Sequence, residues 1–181
     1  MKLVEMVRQL QQFLDSFLDY LSALALEHKL HQADVPDHVR KLARTRALSA
    51  LRLLDGRRKS QLLQFLYESG LVDSKPVIQL TGADLSDSIL DEATLRQAEI
   101  RGAYLNNSSI RRAYLTGADL RGSDFSCADF SGSDLTDAKL AQANLDRCQF
   151  EQAVFANTDV SGANLDRDKL TNEQRKGLIE G

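Results

Sequence analysis

The residues best suited to chemistry lie at the end of the first apolar segment. His28 and His31 are three positions apart, and Glu27 stands beside the first of them. On a helix this spacing places both imidazoles on one face, where they could share a metal ion. The sequence offers no complete ligand set, so we expect a solvent-exposed helix end and neither a metal nor a cofactor.

The two cysteines offer no second kind of chemistry. Cys127 and Cys148 are the only cysteines in 181 residues, too few for a disulfide scaffold. The repeat described below turns Cys127 outward and Cys148 inward, which argues against a disulfide or a thiol pair. The sequence also contains no phosphate-binding glycine loop and no nucleophile motif. We therefore expect a reduced, cytoplasmic protein that is not an enzyme.

The distribution of charge indicates two segments. Residues 1–79 carry 12 Lys and Arg against 9 Asp and Glu, whereas residues 80–166 carry 7 against 14. This change of sign predicts a boundary near Pro76. The apolar N-terminal segment is interrupted by Glu5 and Arg8, so it lacks the continuous apolar run of a signal peptide or of a membrane span of roughly 20 residues.

A large apolar residue occurs at every fifth position from Leu80 to Leu165. These eighteen central residues follow one another without a slip of register, and a small residue lies two positions before each of them except the first. Residues two apart in an extended segment share a face, so both point inward. Because the inward pair returns every five residues, the chain must bend once per unit and stack as a repeat solenoid. The expected core includes Leu85, Leu105, Leu120, Phe125, Phe130, Leu145, Phe150 and Phe155.

A coil of twenty residues is the favoured period. It would bring several glycines into one column at a corner and place Phe130 directly beneath Phe150. It would also place Arg101 beneath Arg121, which is tolerable only where solvent screens the two charges. The period therefore favours four sides.

The repeat units TGADL, SCADF, SGSDL, AQANL and SGANL resemble the pentapeptide repeat family, whose pattern is A(D/N)LXX. The resemblance implies a mainly β solenoid over residues 76–167, a right-handed quadrilateral β-helix of about 4.5 coils. The preceding run ALRLLDGRRKSQLLQFLYESGLV resembles the helical lead-in of some cyanobacterial pentapeptide repeat proteins.

Helical segments flank the repeat and would cap its ends. Residues 1–75 form the expected α-helical N-terminal domain, and residues 168–181 form the expected C-terminal cap. A capping box from Thr171 to Gln174 opens a short helix in that cap. Without caps, each end would expose a leucine layer and unpaired strand edges. The N-terminal helices are expected at about 2–31, 37–54 and 57–69.

The first helix carries an apolar seam with alternating steps of four and three residues. This spacing is held for more than three heptads, as in a coiled coil. Further apolar residues such as Met6 and Phe13 widen the stripe, which equally suits a helix inside a small bundle. Both a homodimer and a bundle stay open. The seam residues are Leu3, Val7, Leu10, Leu14, Phe17, Leu21 and Leu24.

Residues 40–59 form a basic run with a single acid, Asp55. We expect a solvated helix face, or a match to acidic groups on the first coil such as Asp84 and Asp87. Anionic lipid or nucleic acid phosphate is the alternative partner. The basic residues are Arg40, Lys41, Arg44, Arg46, Arg52, Arg57, Arg58 and Lys59.

The sequence indicates a non-catalytic interaction or scaffold protein with an unidentified protein partner. Four units carry an apolar residue before the central residue, where the family pattern has Asp or Asn. Such side chains expose apolar surface and, with nearby arginines, suit a protein contact; ordinary surface scatter is the alternative. The expected contact residues are Ile89, Tyr104, Tyr114, Val154, Arg101, Arg111, Arg112 and Arg121.

Two further functions stay open behind this one. Some pentapeptide repeat proteins bind type II topoisomerases in place of DNA, but Asp119, Asp124, Asp129 and Asp134 would ring one coil instead of forming a stripe. A peripheral membrane protein would use the amphipathic first helix and the basic run, and we do not favour it. Nucleic acid itself is not an expected partner, because no recognisable reader motif is present.

Overall fold

Three helices open the computed structural model, which describes residues 2–28, 35–73 and 76–179. They are α1 (Lys2–His28), α2 (Asp37–Leu53) and α3 (Gly56–Glu68). Residues 29–31, expected to complete the first helix, lie outside the described part of the chain. None of the helices within the described ranges combines the length and hydrophobicity that crossing a membrane needs.

The helices pack against one another through apolar side chains. Leu14, Leu21 and Leu24 of α1 are buried in the same core as residues of α2 and α3. The Asp55 side chain begins α3 by accepting a hydrogen bond from the Arg58 amide at 3.0 Å, which satisfies one of the free amides at the helix start. The result is a small bundle set against the first coil of the repeat.

Parallel backbone pairing between residues twenty apart builds the β-helix solenoid. Asp84 pairs with Tyr104, and Tyr104 pairs in turn with Asp124. Four five-residue units therefore complete each turn. Most pairings are single bridges because the chain bends after every unit, so continuous strands are few. The two that occur in the described residues are β1 (Thr158–Asp159) and β2 (Leu178–Ile179).

The bend depends on a left-handed residue two positions after each central residue from Leu80 to Val160. Glycine occupies this position in several units, as at Gly122 with φ of 65°, but many units use a larger residue, such as Asn107 with φ of 60°. This conformation costs roughly 1–2 kcal/mol for a residue with a side chain. Neighbouring coils hold it in place: the Asn107 amide donates to the Ser126 carbonyl at 2.9 Å.

Inside the solenoid, side chains of the same kind stack on one another in successive coils. The rings of Phe130 and Phe150 lie parallel with centroids 5.6 Å apart, which confirms the twenty-residue period. Small inward hydroxyl groups below the first coil also find partners, because Ser108, Ser123, Ser133 and Thr158 each donate to the carbonyl 23 residues earlier. Thr158 bonds Leu135 in this way at 2.8 Å, and the Cys148 thiol similarly contacts the Phe125 carbonyl.

The C-terminal cap combines a short helix with a strand. The expected capping box is present at α4 (Asn172–Lys176), where Thr171 and Gln174 bond each other reciprocally. The Gln174 amide also donates to the carbonyls of Phe150 and Ala153, at 2.7 and 3.0 Å. The sequence did not predict β2, which pairs with β1 and so continues the coil pairing for one more step.

Substitution of Gly56 tests the contact between α3 and the first coil. A methyl group at Gly56 would lie 1.9 Å from the Asp87 carbonyl oxygen, so Gly56→Ala must push α3 off the coil. We expect the free energy of unfolding to fall by about 1–3 kcal/mol in urea denaturation. Gly122→Asn is the control, because Asn tolerates the left-handed turn; a change within about 0.5 kcal/mol is expected. Equal effects of the two variants would contradict this packing.

Thiol labelling tests the inward and outward positions of the repeat. Cys127 is exposed and Cys148 is buried, and burial raises the pKa of the Cys148 thiol to about 12. Because the thiolate is the reactive form, iodoacetamide at pH 8 should modify one thiol in the folded protein and two in urea. Cys127→Ser should show no modification when folded. Rapid modification of both thiols in the folded protein would refute the register.

Candidate interaction surfaces

Side chains of the helical bundle bond the upper edge of the first coil. Arg44 of α2 donates to the carbonyls of Gln79 and Thr81 at 3.0 and 2.9 Å. Lys59 of α3 donates to the Asp84 carboxylate at 2.7 Å and to the Ser86 carbonyl at 3.2 Å. Arg44 and Lys59 of the basic run thus bond edge groups that a preceding coil would otherwise bond.

Three uncharged groups extend this edge bonding around the coil. The Ser60 hydroxyl accepts from the Ile89 amide at 2.9 Å, and the Tyr67 hydroxyl donates to the Arg96 carbonyl at 3.1 Å. The Val72 carbonyl, just after α3, accepts from the Glu99 amide at 2.8 Å. Strand-edge groups that would otherwise face the helices unbonded are therefore satisfied.

The ion pair of Lys59 with Asp84 is partly shielded from water. Lys59 is 5% exposed. Burial raises the pKa of Asp84, but hydrogen bonds from Lys59 and Ser86 outweigh it, and the pKa lies below its ordinary value. The contact with Asp84 matches the expectation that the basic run meets acidic groups on the first coil.

Other members of the basic run are also engaged. Arg58 is buried, pairs with Asp55 and donates to the Val7 carbonyl at 2.9 Å. Arg46 lies over the Tyr20 ring, 4.4 Å from its centroid. Arg52 is among the exposed residues that make no such contact in the described part of the chain. The run is therefore mainly structural and does not form one free basic patch.

The apolar contact residues expected on the solenoid lie on three different sides. Each is about half exposed. Tyr114 and Val154 stand in one column with Asp134 between them, whereas Ile89 stands in the column of Ser109, and Tyr104 in the column between Asp84 and Asp124. The twenty-residue period puts Tyr104 on the side opposite Tyr114. The structure does not gather these side chains into one patch.

The expected contact arginines all pair with carboxylates. Arg111 bonds Asp91 with a closest distance of 3.0 Å, and Arg112 bonds Glu92 at 2.7 Å, in each case twenty residues away. These pairs link successive coils along one edge. Because their charges are compensated locally, the arginines provide less attraction for an acidic partner than the sequence suggested.

Asp119 is a site residue whose role sequence reasoning missed. Its carboxylate is 6% exposed and lies 2.7 Å from guanidinium nitrogens of both Arg101 and Arg121. Burial raises the pKa of Asp119, but the hydrogen bonds from Arg121 and Arg101 outweigh it, so the pKa lies below its ordinary value. The stacked arginines are about half exposed, as the sequence required, and a nearly buried carboxylate bridges them in addition.

The seam expected on α1 is divided between two environments. Leu14, Leu21 and Leu24 are buried in the bundle, and Phe17 packs partly against it. Leu10 is only half-buried, and Leu3 and Val7 are 67% and 43% exposed. The bundle thus occupies the C-terminal part of the seam, and the seam as a whole is not free for a dimer.

The N-terminal turns of α1 form an apolar overhang, defined by Leu3, Val4, Met6 and Val7. All four are exposed. The overhang precedes the buried part of the seam, which begins at Leu14, and Arg58 of α3 reaches only the backbone carbonyl of Val7 in it. Exposed apolar side chains of this size on successive positions are typical of an interaction surface.

No group of three or more His, Cys, Asp or Glu in the described ranges could hold a metal ion. His31 of the histidine pair lies outside those ranges.

Acid denaturation tests the Asp119 bridge. Because its pKa is lower in the folded protein, the bridge stabilises the fold above the unfolded-state pKa and loses this effect as the pH falls through the folded value. Asp119→Asn should therefore reduce the free energy of unfolding at pH 7 and reduce it by a smaller amount at pH 3. The exposed Asp137→Asn is the control and should change it little at either pH. A difference that stays constant between pH 7 and 3 would exclude the bridge.

Comparison with known protein families gives matches in the repeat region of the chain. The model of the family described as pentapeptide repeats matches eight copies, within residues 78–117, 98–137 and 133–172. Together these matches span 78–172, more than half of the chain. A comparison with curated proteins gave no match.

Several solved structures are similar to the solenoid. A pentapeptide repeat protein of the Arabidopsis thaliana thylakoid lumen is 27% identical, over 47% of this chain and 52% of that one, with a TM-score of 0.29. The chain thus matches about half the length of that protein. A pentapeptide repeat protein of Nostoc PCC 7120 is 29% identical over 54% and 84%, with a TM-score of 0.26. QnrB1, a plasmid-mediated fluoroquinolone resistance protein, is 14% identical over 57% and 80%, with a TM-score of 0.30.

Proposed function

The chain belongs to the pentapeptide repeat family, and from this premise we propose that it is a non-catalytic interaction module: a solenoid rod whose helical domain docks and self-associates. Proteins of this family are generally structural or interaction modules and not enzymes. The observation that carries the proposal is the apolar overhang of α1, which presents exposed apolar side chains at the end of a helix whose later seam residues Leu14, Leu21 and Leu24 are buried in the bundle.

We also propose the domain bounds and the coil geometry of the rod. Residues 1–75 are the helical domain, 76–167 a right-handed quadrilateral β-helix of about 4.5 coils, and 168–181 the C-terminal cap. Eighteen units taken four to a coil support the number of coils. We place the protein in the cytoplasm, which its two free cysteines support.

The apolar overhang is suited to bind a second copy of this chain. The overhang continues, without a break in spacing, the seam that packs inside the bundle, and a heptad seam is complementary to an identical seam. Glu5 and Arg8 bond each other along the helix at 2.7 Å, so neither leaves a net charge that would repel a second copy. Association would extend the bundle core across two chains.

The topoisomerase hypothesis finds less support in the geometry. Asp119, Asp124, Asp129 and Asp134 each stand in a different column of bridges, so they ring one coil. Asp119 is nearly buried between two arginines. A DNA-like surface needs a stripe of unpaired carboxylates along the solenoid, and these four aspartates do not form one. A membrane surface is likewise less favoured, because Arg44, Arg58 and Lys59 are used inside the protein.

Light scattering after size exclusion tests self-association. The full chain should elute at about twice its 20.2 kDa mass, and Leu3→Glu/Val7→Glu should restore the monomer because it places charge on the overhang. The control is Leu26→Glu/Leu53→Glu, since both leucines are more than 60% exposed and lie off the overhang. A wild-type monomer at 100 micromolar, a concentration of the order at which weak dimers form, would refute the proposal, as would an equal effect of the control.

A further inference from the structure

A groove separates α3 from one side of the first coil. Its volume is about 520 Å³, and it runs along the coil from Ile89 to Thr94. Phe65 and Glu68 are among the residues that α3 contributes. Helix and coil run in the same direction here, since Ile89 bonds Ser60 and the later Arg96 bonds Tyr67.

The strand edge beside this groove lacks the bonding seen elsewhere. In the coil below, Tyr114 bonds upward twice: its amide donates to the Ala93 carbonyl, and its carbonyl accepts from the Leu95 amide. Thr94 is the equivalent residue of the first coil, yet no described residue bonds its amide or its carbonyl. The carbonyls of Ile89 and Asp91 are equally without a partner in the described ranges. The Asp84 amide and carbonyl also have no described partner, but Lys59 of α3 covers that side by bonding the Asp84 carboxylate and the Ser86 carbonyl. No helix side chain in the described ranges bonds the carbonyls of Ile89, Asp91 or Thr94.

The interior of the solenoid is also less well covered on this side. Ala83 and Ala98, the inward small residues of the two sides flanking this stretch, are fully buried, whereas Ala93 is partly exposed. The buried Ser88 hydroxyl has no partner among the described residues, although inward hydroxyls of lower coils bond a carbonyl of the coil above. Both features indicate that one strand is missing above Ile89–Thr94.

Charges at the two ends of α3 define what would fill this place. Arg57 is exposed at one end of the groove, and no described residue pairs with it. Glu68 lies at the other end and, among the described residues, bonds the Gln64 amide alone, at 3.0 Å. The eleven helical steps from Arg57 to Glu68 span about 16 Å. The coil stretch from Ile89 to Thr94 beside them turns one corner, at Glu92. Phe65 and Ile89 supply apolar contact between these ends.

We infer that this groove binds a peptide segment of a partner protein, which pairs in parallel with the open edge of the first coil and turns the corner at Glu92 as the coil does. The segment carries an acidic residue at its N-terminal end for Arg57, apolar residues in the middle, and a basic residue five positions later for Glu68. The turn brings positions five apart back to one face, as it does in the repeat units. Its amides donate to the Ile89 and Asp91 carbonyls, and one of its carbonyls accepts from Thr94. Strand addition of this kind takes its affinity from backbone bonds and its specificity from side chains. The inference deepens the proposed interaction role but does not depend on self-association.

Fluorescence polarisation with the full chain and the labelled peptide TEVTVNKT, whose Asn tolerates the left-handed turn, tests the inference. We expect saturable binding, weakened about five-fold or more by backbone N-methylation of the peptide, which removes amide donors. Thr94→Pro should weaken binding by a similar factor, because it removes the free amide and breaks no bond within the protein. Thr94→Ala keeps that amide and should bind within about two-fold of the wild type.

An exchange of charges provides the stricter test and requires no buried substitution. Arg57→Glu/Glu68→Lys should reverse the preference of the protein from TEVTVNKT to the swapped peptide TKVTVNET. Leu3→Glu/Val7→Glu should leave peptide binding unchanged, so failure of self-association and failure of this site give different results. Absence of binding at millimolar peptide, equal binding of the N-methylated peptide, or an unchanged preference after the exchange would each overturn the inference.

Discussion

Backbone pairing between residues twenty apart is the constraint on which the rest of this structure depends. Each unit bonds the coil above through the residue before its central residue, and the coil below through the central residue itself. Asp124 shows the upward bond, from its amide to the Ala103 carbonyl, and Phe125 the downward one, to the Asn144 carbonyl. A unit of four or six residues would break every later pairing. This explains why the period of five continues without a slip and why turns accept left-handed residues other than glycine.

The same constraint makes the two ends the costly parts of the molecule, and each end is closed differently. At the top, side chains of the helices reach the open edge one group at a time, as Arg44 and Lys59 do. At the bottom, the chain supplies a true strand, β2, together with the Gln174 side chain. A closure by separate side chains can leave a gap between them, whereas a paired strand closes its edge continuously. The open stretch at Thr94 therefore lies under the helices and not at the C-terminal cap.

Much of this architecture was predictable because it follows from periodicity. The spacing of the central residues predicted the solenoid, and the same arithmetic predicted the stacking of Phe130 on Phe150. The bridge at Asp119 was not predictable from spacing alone, because it joins two arginines across a corner and depends on where their side chains turn. β2 was missed for a related reason: Leu178 and Ile179 are too few to show a strand pattern, and only the open edge of β1 makes them extended. The α1 seam suited a bundle and a dimer equally, since periodicity describes a face and not what covers it.

Because four units complete one turn, the number of units sets how one end of the rod is oriented relative to the other. Adding one unit would rotate the C-terminal cap by a quarter turn relative to the helical domain and advance it by about 1.2 Å, a quarter of the spacing between coils. Adding four units would lengthen the rod by one coil and restore the original orientation. The number of units therefore fixes the angle at which surfaces at the two ends face each other, in steps, while the interior stays the same. In such a protein the number of repeat units sets both the distance and the relative orientation of the surfaces at its two ends.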